Sequence, residues 1–182
     1  MTSKMPTSRP PRQPEQIRAK LIHAATLLLS EGQPVSIGSI ADAAGVSKGA
    51  VQHHFGTREQ LFAALGEFYL QEFDDALTSE DASIPAALRY ARLSLNTTAP
   101  EQVDGWRAML VACVVDRSIA SRWSKRVEVE RALDEPSPAS AALLVRLAAD
   151  GLWLSNLLST YTIGHKEREE LAALMSKLLD RS

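Results

Sequence analysis

The sequence predicts an all-α protein, and three observations support this. Apolar residues recur at spacings of three and four along most of the chain, as on the buried face of a helix. Glycine, proline and capping residues divide the chain into segments of helical length, and no segment convincingly predicts a strand. With 45% apolar residues in 182, the chain can bury a substantial core, as one domain or two small ones.

Four helices are predicted in the N-terminal part, over residues 14–31, 37–44, 48–54 and 58–77. The first has apolar residues at helical spacing and is followed by Gly32. Ser36 and Ser47 are suitable N-caps for the second and third helices. Thr57 and Gln60 form a capping box for the fourth. The apolar stripe of this fourth helix consists of Leu61, Phe62, Leu65, Tyr69 and Phe73.

Five further helices are predicted in the C-terminal part, over residues 85–95, from 100 to a break near 116, and over 117–133, 139–161 and 166–179. Thr98 and Glu101 match a capping box for the helix that begins at residue 100. Ser137 is the expected N-cap of the helix over 139–161, with Pro138 at its first position. Gly164 is expected to end that helix.

Composition and motifs restrict the class of protein. The single cysteine, Cys113, excludes an internal disulfide and fits a reducing compartment. Residues 1–16 are polar and proline-rich without an apolar core, so no signal peptide is predicted. No apolar run approaches the roughly 20 residues that span a bilayer. A cytoplasmic protein without membrane contact is therefore expected.

No enzyme and no cofactor are predicted. The sequence lacks a phosphate-binding loop, a dinucleotide fingerprint, a nucleophile elbow and a recognisable carboxylate pair. Adjacent residues on a helix point in different directions, so His53 and His54 do not form a chelating face, and no metal site is predicted. Two alternatives stay open for His54: a structural residue packed beside Phe55, or a phosphate contact.

The charge of the chain is unevenly distributed. Residues 1–60 contain seven Lys or Arg and four Asp or Glu, whereas the remainder contains thirteen basic and eighteen acidic residues. This asymmetry is compatible with a polyanion-binding N-terminal end, and also with a few extra basic residues on solvated helices. Lys4, Arg9 and Arg12 lie on a proline-rich arm that either adds contacts to such a polyanion or is an unimportant tail.

The stretch "GVSKGAVQHHF" at residues 45–55 completes a helix-turn-helix pattern. Two short helices are separated by Gly45, and Ile40, Ala41, Val46 and Val51 supply the apolar contacts between them. In such a unit the second helix enters the DNA major groove with its N-terminal residues at base edges. The predicted DNA-binding residues are Ser36, Ser47, Lys48, Gly49, Ala50, Gln52, His53 and Arg58.

These residues resemble the N-terminal signature of the TetR family of transcriptional regulators. The matching positions are Ser36, Ile40-Ala41, Ala44-Gly45-Val46-Ser47, Gly49, His54-Phe55, and Arg58 with Leu61. The family usually has an aromatic residue where Gln52 and often His53 stand, and commonly lysine where Arg58 stands. The resemblance covers about residues 14–75 and implies a DNA-binding domain followed by a ligand-binding and dimerisation domain. The predicted boundaries are 14–76 and 77–182.

The segment "LLVRLAADGLWLSNLLSTY" at residues 143–161 is apolar on several sides and must be covered on several sides. One cover is the subunit's own domain, and a partner subunit is the preferred second cover, with burial in a larger monomer as the alternative. The predicted dimer interface consists of Leu144, Ala148, Gly151, Leu152 and Ser155. A second apolar face consists of Leu143, Leu147, Leu154 and Leu158. The resemblance implies that the last two helices form a four-helix bundle with a partner.

A ligand pocket is predicted in the C-terminal domain. Its residues are Trp106, Met109, Cys113, Trp123, Asp150 and Trp153. Large and soft side chains on separate helices can line an apolar cavity, although such residues are more often core. Asp150 either orients a polar ligand group or pairs with Arg146 one turn away.

The sequence therefore predicts a homodimeric transcriptional regulator, a repressor that a small-molecule effector releases from double-stranded operator DNA. Its two helix-turn-helix units predict an operator that is an inverted repeat. The alternatives are an activator of the same fold and a helical protein-interaction module that does not bind DNA.

Overall fold

The structure, a computed structural model, describes residues 13–135, 137 and 139–180. Within these ranges the chain forms nine α-helices and no strand, which confirms the predicted fold class. The helices are α1 (Gln13–Ser30), α2 (Ile37–Ala44), α3 (Lys48–Phe55), α4 (Arg58–Ser79), α5 (Ala86–Asn96), α6 (Pro100–Val115), α7 (Arg117–Arg131), α8 (Ala139–Leu158) and α9 (His165–Leu179). The basic arm with Lys4, Arg9 and Arg12 lies outside the described residues, as does Pro138.

Most predicted helix caps are present, because a cap is made by residues close in sequence. Ser36, Ser47 and Thr57 each accept a hydrogen bond from a backbone N–H in the first turn of the following helix. Asp116 accepts from the N–H of Ser118 at 2.8 Å, which ends α6 and begins α7 at the predicted break. Gly45 adopts a left-handed conformation, with φ 65° and ψ 37°, where the chain turns after α2.

Two predictions about helix ends are wrong. The Thr98–Glu101 capping box does not form, because the N-cap of α6 is Ala99 and no side chain caps it. Gly164 does not end α8, which stops at Leu158; instead Gly164 is the N-cap of α9, and its N–H donates to Glu167 Oε2 at 2.8 Å.

The buried apolar side chains form two clusters. The first joins α1, α2, α3, the first half of α4, the middle of α6 and Ile119. The second joins the end of α4 with α5, α8 and α9. Helix α4 contributes to both, with Leu65 in the first and Phe73 in the second. Trp106 and Trp123 are partly buried and pack against both clusters, so they lie where the two cores meet.

Helix α8 contradicts the prediction that no apolar segment approaches the length of a membrane span. Its 20 residues are long and apolar enough to cross a membrane by length and mean hydropathy alone. However, this segment contains Arg146 and Asp150, and its buried residues, Val145 and Ala149 among them, belong to the core shared with α5 and α9. The core helix of a helical domain has the same composition, so the apolar length of α8 is weak evidence for a membrane.

Candidate DNA-binding surface and ligand cavity

Helices α2 and α3 form the predicted helix-turn-helix. Ile40, Ala41 and Val51 are fully buried between them, and Val46 is half-buried in the turn. The turn is closed by the N–H of Val46, which donates to Ala41 O at 3.0 Å. Phe55 at the end of α3 is buried, with the Arg18 guanidinium of α1 at 5.2 Å from its ring centroid. The geometry of the unit therefore agrees with the sequence prediction.

The packing of α3 leaves one of its faces in solvent. Of the predicted DNA-binding residues on this helix and its cap, Ser47, Lys48, Gly49, Gln52 and His53 are exposed and Ala50 is half-buried. Because Val51 and Phe55 anchor the opposite face in the core, the exposed face is held in a fixed orientation. A surface of this kind can enter a groove without rearrangement of the helix.

Lys48 and Ser36 converge at the start of α2. A Cβ built on Gly38 would lie 3.3 Å from Lys48 Cε, 3.5 Å from its Nζ and 3.7 Å from Ser36 Oγ. The lysine stem therefore passes over Gly38, and its ammonium group lies beside the N-terminus of α2. Both the ammonium charge and the positive end of the helix favour an anion such as a DNA phosphate at this point. Gly38 leaves the space that the lysine occupies.

Arg58 is exposed at the start of α4, but part of its guanidinium is already engaged. Its Nε donates to Val35 O at 2.9 Å, and its Cζ lies 4.7 Å from the centroid of the Phe62 ring. These contacts tie the start of α4 to the segment that precedes α2. The geometry gives Arg58 a structural task within the domain that the sequence analysis did not identify.

The two histidines have different surroundings. His53 is exposed, whereas His54 is half-buried, with its ring centroid 5.5 Å from that of His53 and 6.4 Å from that of Phe55. This environment favours a structural role for His54, which was one of the two alternatives, and leaves His53 on the solvent face with Gln52.

A cavity of about 480 Å³ lies where the two cores meet. It is enclosed by α4, α5, α6, α7 and α8, and most of its wall is aromatic or aliphatic. The apolar lining residues are Phe73, Tyr90, Leu93, Trp106, Leu110, Trp123, Val127, Trp153 and Leu154. The polar lining residues are Ser94, Thr97, Ser124, Glu128 and Asp150. Its size and its few polar groups are typical of a small-molecule site.

Four of the six predicted pocket residues line this cavity, namely Trp106, Trp123, Asp150 and Trp153. Met109 does not, because it faces the first core cluster and is 2% exposed. Cys113 does not either, because it lies seven residues, about 10 Å, beyond Trp106 along α6 and packs against that same cluster. Burial raises the pKa of its thiol.

Several cavity residues were missed by the sequence analysis. Leu110 is four residues after Trp106 and therefore shares its helix face, a signal that was available in the sequence. Phe73 belonged to a stripe interpreted as core. Tyr90 and Leu93 are on α5, which reaches the cavity only through its packing on α8, and no local signal identifies that contact.

Asp150 accepts a hydrogen bond from the Tyr90 hydroxyl at 2.5 Å, across from α5 to α8. Burial raises the pKa of Asp150, while the Tyr90 hydrogen bond and the charge of Arg146 lower it. Burial and the neighbouring carboxylate raise the pKa of Tyr90. The phenol therefore stays protonated and donates.

The alternative pairing of Asp150 with Arg146 is wrong. Arg146 is 4% exposed and donates to both carboxylate oxygens of Asp134, from Nε at 2.8 Å and from Nη2 at 2.6 Å. It also donates to Glu130 O at 2.8 Å. Arg146 thus ties α8 to the end of α7, and Asp150 remains at the cavity.

The predicted dimer face needs one correction. Leu144, Ala148 and Gly151 are exposed, but Leu152 and Ser155 are each 6% exposed and are covered by the subunit's own helices. The second predicted face is wholly exposed, and Leu174 of α9 is exposed as well. The exposed leucines of the two helices are Leu143, Leu144, Leu147, Leu154, Leu158 and Leu174. A Cβ on Gly151 would have no atom of its own subunit within 4 Å.

One chain of contacts links the cavity to α1. The Trp106 ring lies 6.0 Å from the ring of Tyr69, and the Tyr69 hydroxyl forms a 2.8 Å hydrogen bond with the Thr26 hydroxyl of α1. Both Tyr69 and Thr26 are buried. Helix α1 packs in turn against α2. The cavity wall and the helix-turn-helix are therefore joined through α1, which also packs directly against α6.

Two family models match the chain. The model described as "Bacterial regulatory proteins, tetR family" matches residues 21–65, and "Tetracyclin repressor-like, C-terminal domain" matches residues 86–180. No curated protein sequence matches the chain significantly.

Solved structures with the same fold cover nearly the whole chain. A transcriptional regulator from Rhodococcus sp. Rha1 has a TM-score of 0.71 at 22% identity, covering 92% of this chain and 96% of the other. The multidrug binding protein EbrR complexed with malachite green has a TM-score of 0.66 at 21% identity, covering 93% and 99%. NalD, the secondary repressor of the MexAB-OprM multidrug efflux pump in Pseudomonas aeruginosa, has a TM-score of 0.61 at 19% identity, covering 94% and 99%.

Proposed function

We propose, from the premise that the chain belongs to the TetR family of transcriptional regulators, that it represses transcription by binding operator DNA and is released by a small molecule. The observation that carries this proposal is the exposed face of α3, anchored from behind by Val51 and Phe55 and flanked by the Lys48 ammonium. This face presents hydrogen-bonding side chains to base edges, and Lys48 with Ser36 presents a phosphate site.

The DNA-binding unit acts in pairs under this proposal. The exposed leucines of α8 and α9 form an apolar surface on one side of each subunit, and a second copy of the chain covers it in a two-fold dimer. Gly151, where an added Cβ would meet no atom of the subunit beyond its own helix backbone, lets the partner's helix approach closely. The operator is then an inverted repeat with half-sites about one to one and a half helical turns apart.

Ligand binding is coupled to DNA binding through the contacts between the cavity and α1. A ligand that displaces Trp106 also moves the Tyr69 ring, and this movement shifts Thr26 through the hydrogen bond between the two hydroxyls. Because α1 packs against α2, the helix-turn-helix changes its position relative to its partner. The ligand favours the state in which the two units no longer match successive major grooves. EbrR and NalD, which share the fold, are named as a multidrug binding protein and as a repressor, and this supports a ligand-responsive repressor.

The DNA-binding part of the proposal is tested by selecting DNA from a pool of random duplexes with the purified full-length chain. An inverted repeat should be enriched. Its affinity is then measured by fluorescence anisotropy at several salt concentrations, because phosphate contacts make affinity salt-dependent. Lys48→Ala should reduce the slope of log K against log salt by about one.

Lys125→Ala on α7 is the matched control, since it removes the same charge from an exposed position outside both the helix-turn-helix and the proposed dimer surface. It should leave the salt slope unchanged. Enrichment of no sequence, together with equal slopes for wild type and Lys48→Ala, would refute the DNA-binding proposal.

A further inference from the structure

We infer that the cavity takes a lipophilic organic cation, an aromatic or quaternary ammonium-like molecule, as its ligand. This inference rests on the proposed function only in that the cavity binds a small molecule. It concerns the charge of that molecule, which the fold alone does not determine. Three features of the cavity support it, namely its aromatic wall, the carboxylates in its lining and the pairing of the nearest arginines.

The wall of the cavity is an aromatic cage. The Trp106 ring centroid lies 5.7 Å from that of Trp123 and 6.4 Å from that of Trp153, and the Phe73 centroid lies 4.9 Å from Trp123. These rings meet edge to face and together form a continuous aromatic wall. A cation within about 6 Å of such a ring is attracted by the ring quadrupole, and tryptophan is the best partner.

The charges that line the cavity are all negative. Asp150 and Glu128 both lie in the lining, and both residues are exposed. Among the described residues that line the cavity, none is Lys, Arg or His. Asp150 accepts the Tyr90 hydroxyl at Oδ1, and no described residue donates a hydrogen bond to its Oδ2. One carboxylate oxygen is therefore available to a ligand at the solvent-exposed side of the cavity, where a positive partner is attracted and an anion is repelled.

The two arginines that lie over rings of the cavity wall are each held by carboxylates that do not line the cavity. Arg126 lies over the Phe73 ring at 5.6 Å but is bound by Asp74 and by Glu130, the latter at 2.8 Å. Arg146 lies over the Tyr90 ring at 4.9 Å and is held by both oxygens of Asp134, although its charge also acts on Asp150.

Glu128 has Arg131 as an exposed partner at 3.5 Å. Arg126 and Arg146 are thus matched by carboxylates outside the cavity, and Asp150 is left without an ion-pair partner of its own among the described residues.

The test uses three probes of similar size and different charge. Tetraphenylphosphonium is a cation, tetraphenylborate is an anion of nearly the same shape, and triphenylmethanol is a neutral hydrogen-bond donor. Binding of each to the full-length chain is measured by isothermal titration calorimetry. We expect tetraphenylphosphonium to bind at least about tenfold more tightly than either of the others.

Asp150→Asn isolates charge from shape, because the amide oxygen can still accept the Tyr90 hydrogen bond. The variant should bind tetraphenylphosphonium about tenfold more weakly and triphenylmethanol as well as wild type does. Asp75→Asn is the matched control: it removes the same charge from an exposed site on α4 that does not line the cavity, and it should bind all three probes like wild type.

Glu128→Gln serves as a second variant if Asp150→Asn does not fold, since Glu128 is exposed and its replacement is mild. It should weaken only tetraphenylphosphonium, by a few-fold. Equal or tighter binding of tetraphenylborate or triphenylmethanol by wild type, or no binding of tetraphenylphosphonium, would overturn the inference.

The same preparation is tested separately for binding to the selected DNA. Loss of DNA binding would count against the proposed function and leave the measured charge preference intact. Conversely, DNA that is released by the neutral probe and not by the cation would uphold a ligand-responsive regulator and overturn the cationic ligand.

Discussion

The contact between Gly105 and Tyr69 gives a prediction that tests the link between cavity and α1. A Cβ built on Gly105 would lie 2.8 Å from Tyr69 Cε1 and 2.9 Å from its Oη. Non-bonded carbon atoms pack at about 3.5–4.0 Å, so in Gly105→Ala the ring has to move by about 0.7 Å or more. Such a shift is sufficient to stretch the 2.8 Å hydrogen bond to Thr26 beyond the usual limit of about 3.2 Å.

The expected change in the free energy of unfolding of Gly105→Ala is the sum of three contributions. Overpacking a buried site costs about 1–3 kcal/mol. Loss of a buried hydrogen bond costs about 1 kcal/mol more. Alanine in place of glycine inside a helix offsets about 1 kcal/mol of this. The free energy of unfolding of Gly105→Ala should therefore fall by about 1–3 kcal/mol, and release of DNA by the ligand should weaken because the Tyr69–Thr26 contact is lost.

The assay is urea unfolding at a fixed protomer concentration, which matters because a dimer is stabilised by mass action. Tyr69→Phe removes Oη and provides the second arm of a double-mutant cycle. In that background Gly105→Ala should cost less than it does in wild type, with a coupling energy of about 0.5–2 kcal/mol. If Gly105→Ala is more stable than wild type by about 1 kcal/mol, the gain in helix propensity acts alone and the tight contact is refuted.

Three further predictions concern the DNA surface, the dimer and the response to acid. Arg58→Ala should lower the free energy of unfolding by about 1 kcal/mol and also weaken DNA binding, because the hydrogen bond to Val35 O is lost. Lys48→Ala should reduce the salt dependence of DNA binding without a loss of stability. Chemical unfolding compares the two variants, and equal stabilities would show that Arg58 has no structural role. Gly151→Leu should fold normally but sediment as a monomer with weakened operator binding, because the leucine weakens dimer association by about 1–3 kcal/mol per subunit. A dimer with wild-type affinity for DNA would place Gly151 outside the interface. Hydrogen bonds from Ser118 lower the pKa of Asp116 below its ordinary value of 3.8. The stabilisation from this cap is therefore complete above that pH and is lost as the pH falls through the lowered pKa. Asp116→Ala should lose less stability than wild type below about pH 4, and an unchanged acid profile would contradict this.

Local signals explain why much of the fold could be predicted. The caps at Ser36, Ser47 and Thr57 depend on residues three positions apart, and Gly45 satisfies a backbone requirement of the turn itself. The exposed face of α3 followed from the buried positions of the same helix. Such features are determined within one or two turns, so the sequence alone is sufficient.

The remaining features depend on tertiary packing. Helix α8 is apolar on several sides, and only its packing against α5 decides that Leu152 is inside while Leu144 is outside. Arg146 pairs with Asp134 across a loop instead of with Asp150 one turn away. Met109 turns toward α1 because α6 lies between the two cores. In each case the burial or the pairing of the residue is determined by helices that are distant in sequence.

The position of the tryptophans has a consequence for how this protein can be observed. The chain has three, and all three line the cavity, whereas none lies between residues 36 and 58. Tryptophan emission therefore originates from one place, about the cavity, and carries no direct contribution from the DNA surface. A change in emission on adding DNA alone would be an optical measure of communication between the two surfaces, obtained without any label and without any ligand.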